Sequence, residues 1–105
     1  MRVLIVCGAG ASSTFVAQRL RRAATARDLD VTPIPSSAAA APDLIPGFDV
    51  VLAGAHLAEA VDALRLVAEA HGVPVLVLED AARQDGDELL DTTLAAVAAP
   101  RERIT

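Results

Sequence analysis

Tryptophan and tyrosine are missing from this chain of 105 residues, which has two phenylalanines, one methionine and one cysteine. So few aromatic rings leave no platform on which nucleic-acid bases could stack. Positive charge is short as well: Lys and Arg number 9 against 14 Asp and Glu, giving a net charge of −5. With a pI near 4.8 the chain lacks the basic face that a nucleic-acid partner requires. A single cysteine excludes an internal disulfide, so its thiol is expected to be free and reduced, as in the cytoplasm. Long apolar runs are absent too. Hydrophobic residues make up 53% of the chain, yet each run stops after a few residues at Gly, Pro or charge. None is long enough for a bilayer span, and the first residues do not resemble a signal peptide.

What is present reads as one domain with a modest core, much of it built from alanine. Val3-Leu4-Ile5-Val6 is a short β-branched run suited to a strand buried on both faces. A helix-like pattern follows, with Val16, Leu20 and Ala23-Ala24 at helical spacing. Arg19, Arg21, Arg22 and Arg27 fall towards its far end, where cations suit the helix dipole. Asp30–Ile34 predicts a second strand, placed near an edge by Pro33. Residues 35–47 read as a loop, with a turn or two of helix at Ala38–Ala41. Asp49–Ala53 gives a third strand, stopped by Gly54.

The next helix carries Leu57, Val61, Leu64 and Val67-Ala68 on one face, and Glu59, Asp62, Arg65 and Glu69 on the other. Gly72 marks its end, and Val75–Leu78 is the fourth strand. Asp85 with Glu88 has the spacing of a capping box for a last helix, with apolar face Leu89-Leu90, Thr93-Leu94 and Val97. Pro100 stops that helix, and residues 100–105 are expected to fray. Alternating strands and helices imply an α/β fold: a single open, four-stranded parallel sheet, expected order 2-1-3-4, with helices on both faces and right-handed crossovers.

The chemistry concentrates in Cys7-Gly8-Ala9-Gly10-Ala11-Ser12-Ser13-Thr14. A thiol ends the first strand, and a small, hydroxyl-rich loop leads straight into a helix. Ligands in open α/β sheets sit outside the carboxyl ends of the strands, where Cys7 falls. Backbone N–H groups converge there, and the helix dipole favours thiolate and phosphate. Gly8 and Gly10 let the backbone approach a ligand closely. Ser12 or Ser13 is expected to cap the helix. Residues 8–14 thus read as an anion cradle and Cys7 as a phosphate-carrying nucleophile, its thiol tunable to a pKa of about 3.5–7.5 at a helix N-terminus.

Rival phosphate loops fit less well. A Walker A loop needs a lysine that is missing at its place here. The dinucleotide fingerprint matches only two of three positions in Gly8-x-Gly10-x-x-Ser13, and the acid Asp30 begins the second strand instead of ending it. A cysteine-dependent phosphatase closes its loop with an arginine where this chain has Ser13. Lacking that guanidinium, a hydrolytic transition state loses a bidentate clamp worth about 2–4 kcal/mol. The balance favours transfer over hydrolysis. A buried structural thiol is the plain alternative for Cys7.

These residues resemble the enzyme IIB subunits of the bacterial sugar phosphotransferase system, lactose/cellobiose (chitobiose) class, whose loop reads roughly Cys-x-Ala-Gly-Met-Ser-Thr-Ser. The resemblance extends through Asp49–Gly54 and Val73-Pro74-Val75. It implies a fold close to that of the low-molecular-weight tyrosine phosphatases and needs no cofactor or metal. It also implies a cytoplasmic phosphoryl carrier, peripheral to the membrane. The phosphohistidine of a IIA protein would phosphorylate Cys7, which would pass the group to a sugar bound by the membrane protein IIC. Ala11 stands where that family usually has Met, and Ala55-His56 where relatives often have Pro-Gln. The ascorbate or galactitol classes, a regulatory IIB-like protein, and a phosphatase or arsenate reductase of related fold remain alternatives. His56 is read as an exposed rim residue, His71 as a helix C-terminal residue, and Glu79-Asp80 as loop acids. Arg19, Arg21 and Arg22 are a solvated face or a dock for an acidic partner.

Overall fold

The computed structural model describes residues 1–6, 11–54, 58–78 and 85–98, without the side chains of 11–13, 58–60 and 98. Four strands, β1 (Arg2–Val6), β2 (Thr32–Ser36), β3 (Val50–Gly54) and β4 (Val75–Leu78), form one parallel sheet in the order β2-β1-β3-β4. Helices α1 (Ala11–Ala26), α2 (Ala41–Leu44), α3 (Ala58–Ala70) and α4 (Gly86–Ala98) connect or follow them, with a 3-10 turn at Ile45–Gly47.

Strand periodicity sorts the core into two layers. Val3, Ile5, Val50, Leu52 and Leu78 face α1 and α4, where they meet Val16, Leu20, Ala24, Leu89 and Leu90. On the other face, Leu4, Val6 and Val51 pack against Ala41, Ile45, Phe48, Leu64 and Ala68. Both central strands are therefore buried on both sides, which is why β1 and β3 read as unbroken apolar runs.

The second strand lies two residues later than its sequence suggests, at Thr32–Ser36. The Thr32 amide donates to the Met1 carbonyl on β1's side. Alternation then turns the nitrogens of Pro33 and Pro35 away from β1, where a missing N–H costs no ladder bond. The outward Pro33 carbonyl accepts instead from the Arg21 guanidinium at 3.1 Å. The short helix is likewise displaced: residues 38–40 form a turn, held by the Ala40 amide donating to Ser37 Oγ, and the helix starts at Ala41.

Helix ends follow local chemistry. Past α3, Gly72 has φ +69°, and the Val73 and Gly72 amides donate to the carbonyls of Ala68 and Glu69. This is a Schellman stop at the glycine that the sequence marks. Helix α1 ends the same way on Asp28 (φ 57°), with the Leu29 amide bonded to the Ala24 carbonyl. At the start of α4, Asp85 Oδ1 accepts the Glu88 amide at 2.8 Å, as its spacing predicts. A Cβ at Gly86 would strike the Arg19 carbonyl, so glycine lets α4 press against α1.

The expected role of the α1 arginines is corrected in part. The last turn of α1 carries no basic residue, so Arg19, Arg21 and Arg22 lie too early to meet the negative end of its dipole. Arg27, just past that end, forms ion pairs with Asp91 (2.7 Å) and Asp87 (3.1 Å) of α4. The hydrogen bond from Arg27 is the main cause that holds the Asp91 carboxyl below its ordinary range.

Candidate functional site

The strand order determines where a site can form. From β1 the chain crosses α1 to β2 on one side, then returns through α2 to β3 on the other side of β1. The switch point thus lies at the carboxyl ends of β1 and β3, the usual ligand crevice of an open α/β sheet. Val6 at the end of β1 is fully buried, in register with Ser36 on β2 and Ala53 on β3. Cys7 follows Val6 directly in the sequence and lies outside the described residues.

Helix α1 begins at Ala11, so Ser12 and Ser13 belong to its first turn and neither is its N-cap. The capping position precedes Ala11 and lies outside the described residues. The first N–H groups of a helix have no acceptor within it, and in α1 they belong to Ala11, Ser12 and Ser13. Amides and dipole there favour an anion at the head of a 16-residue helix with no acidic residue in its first turn. Thr14 is exposed, one position further along.

Of the predicted site residues, Cys7, Gly8, Ala9 and Gly10 lie outside the described residues, as do the side chains of Ala11, Ser12 and Ser13. His56 and Glu79-Asp80 lie outside them as well. His71 is exposed in the turn that ends α3, away from the carboxyl rim. In the sequence, residues 7–10 fall between the buried end of β1 at Val6 and the start of α1 at Ala11. Among the described residues no group of His, Cys, Asp and Glu could hold a metal ion.

The sequence model of the family described as "PTS system, Lactose/Cellobiose specific IIB subunit" matches residues 2–92. The chain belongs to this family. It is therefore a transferase component of the sugar phosphotransferase system, a IIB-type phosphoryl carrier. No curated protein matches it in sequence. Among solved structures, the fold is similar to the lactose-specific IIB component domain from Streptococcus pneumoniae, with TM-score 0.82 and 15% identity over 91% of this chain and 96% of that one. It is also similar to the cellobiose-specific phosphotransferase IIB component from Borrelia burgdorferi, with TM-score 0.75 and 24% identity over 92% of this chain and 91% of that one. The sheet order expected of a IIB fold is the one observed.

Two features of this IIB chain's rim were not singled out from sequence. Ser37, just past the end of β2, anchors the turn before α2 by accepting the Ala40 amide. Phe15 is 63% exposed on the second turn of α1. Its signal was present: it falls outside the Val16, Leu20, Ala23-Ala24 stripe, so helical spacing turns it to solvent.

Proposed function

We propose that Cys7 carries the phosphoryl group between a IIA protein and a sugar held by the membrane protein IIC. The Cys7 thiolate attacks the phosphorus of phosphohistidine, an S–P bond forms, and the P–N bond breaks with its electron pair returning to the imidazole. A sugar hydroxyl then attacks the same phosphorus. An O–P bond forms, the S–P bond breaks, the hydroxyl proton is lost to a base, and thiolate is restored. In both steps residues 8–14 surround the transferring group, and amides at the helix start stabilise its oxygens as charge redistributes.

One observation carries this reading: the only cysteine of a IIB chain directly follows the buried end of β1, at the switch point, with α1 starting four positions later at Ala11. Ser13, standing where a phosphatase would have its arginine, supports release by transfer. Among the described residues no helix is long and apolar enough to cross a membrane, which suits a protein that meets the membrane through IIC. A cytoplasmic site of action follows from that relay.

The test is phosphorylation by phosphorylated IIA, with the label located by mass spectrometry. Wild-type protein takes one phosphate on Cys7, and Cys7→Ser takes none while keeping its circular dichroism spectrum. Label persisting in Cys7→Ser would put the carrier elsewhere.

A further inference from the structure

The chain is acidic overall, with net charge −5, yet α1 contains three arginines and no acid. Helices α3 and α4 are different: α3 carries Glu59, Asp62 and Glu69 against Arg65, and α4 carries Asp87, Glu88 and Asp91 with no base. The core side of α1 is the stripe of Val16, Leu20, Ala23 and Ala24. On the flank of α1 beside the start of α4, Phe15, Arg19 and Arg22 follow one another at i, i+4 and i+7; Arg19 is half-buried against Gly86, and Arg19 and Arg22 line a groove with Asp85 and Asp87. They span about 10 Å of the helix axis. Arg22 is exposed and, among the described residues, makes no hydrogen bond or ion pair; Arg21, off this stripe, is held by the Pro33 carbonyl.

Phe15 is one of two phenylalanines, and the two are used in opposite ways. Phe48 is buried, with the Arg2 guanidinium 4.5 Å from its ring centroid. Phe15 sits 63% exposed at the head of the cationic stripe, one helical turn past Ala11, where the cysteine connection joins α1. An exposed aromatic flanked by cations has the composition of an interface anchor with a charged rim.

We propose that Phe15 and Arg22 form the docking stripe for the phosphoryl-donor protein: Phe15 enters an apolar socket, and Arg22 meets a carboxylate beside it. This rests on the reading that Cys7 accepts phosphate from a protein donor. A protein seated over residues 7–10 is wider than that connection, so it extends along the adjoining turns of α1, and Phe15 is the first large exposed group it reaches. Rim cations opposite carboxylates steer encounter and set orientation, which an in-line transfer requires. An anionic membrane fits the stripe less well, because the net charge of −5 opposes approach and one ring gives little insertion.

The experiment measures the rate of transfer from phosphorylated IIA to Cys7 for wild type, Phe15→Ala, Phe15→Leu and Arg22→Glu, with circular dichroism confirming the fold. Phe15→Ala raises the donor concentration for half-maximal rate about tenfold and leaves the saturated rate nearly unchanged, and Phe15→Leu recovers most of the loss. Arg22→Glu slows second-order transfer about fivefold at low salt, and the deficit shrinks in high salt. Wild-type rates in both Phe15→Ala and Arg22→Glu overturn the docking stripe alone. So does a loss of binding to phosphatidylserine vesicles with transfer unchanged. A wild-type Cys7 that takes no label overturns the carrier reading, and the stripe with it.

Discussion

The two ends of the sheet are built from different materials. At the amino end, ties accumulate. The Arg2 amide donates to the Asp49 carboxylate at 2.7 Å, and the Asp49 amide returns to the Arg2 carbonyl at 2.9 Å. The terminal ammonium of Met1 reaches the Asp30 carbonyl, and the Arg2 side chain lies over Phe48. At the carboxyl end, β2 finishes at Ser36 and β3 at Gly54, and Cys7 and Gly8 follow β1 in the sequence. One end fastens the chain; the other is where the proposed function puts the phosphoryl group. On the proposed function, stability and transfer fall to opposite rims of the sheet, with the strands and helices running between them.

That separation can be broken from the middle. Leu52 is 1% exposed in β3, halfway between the rims. Leu52→Ala is expected to cost about 2–5 kcal/mol in urea unfolding, and to slow transfer as the strand end loses support. Asp49→Ala sharpens the contrast. It removes the acceptor of the Arg2 amide, lowers stability by about 1 kcal/mol, and leaves the rate of Cys7 phosphorylation unchanged. A rate that fell with Asp49→Ala would mean that the two ends are not independent.

The smallest effect concerns the clasp between α1 and α4. Asp91 titrates below its ordinary value in the folded chain because it is hydrogen-bonded to Arg27. Its contribution is therefore full above the unfolded carboxylate value of about 4 and is lost as pH falls through the lowered folded value. Asp91 is 67% exposed and Arg27 34%, so solvent screens the pair and the change is slight. Thermal unfolding of Asp91→Asn against pH should show a shallower acid slope than wild type. Equal slopes would remove Arg27–Asp91 from the account.

Much of this was legible in sequence because local rules and tertiary needs agreed. β1, β3 and β4 are short apolar runs; Gly72 and Asp85 end and begin helices as their chemistry requires. Prediction slipped where long-range pairing decided. Pro33 and Pro35 hid the true extent of β2, since only pairing with β1 turns their nitrogens outward. The partners of Arg27 are some 60 residues away, beyond any local pattern. Serine's capping preference suggested a start for α1 after Ser12 or Ser13, but serine also sits readily inside a first turn. At the site, the helix that begins after the glycines could be read directly, while Phe15 lies off the apolar stripe by which that helix is recognised.

The prolines of β2 also bear on how copies of this chain can associate. A sheet polymerises only if each molecule offers two open margins, and Pro33 and Pro35 close one of them. Any strand-to-strand joining is left to the far side, where two copies meeting through β4 would use up the last margin of each. Such a pair ends its own growth, so the four described strands offer this alanine-rich chain no edge-to-edge route to a fibre.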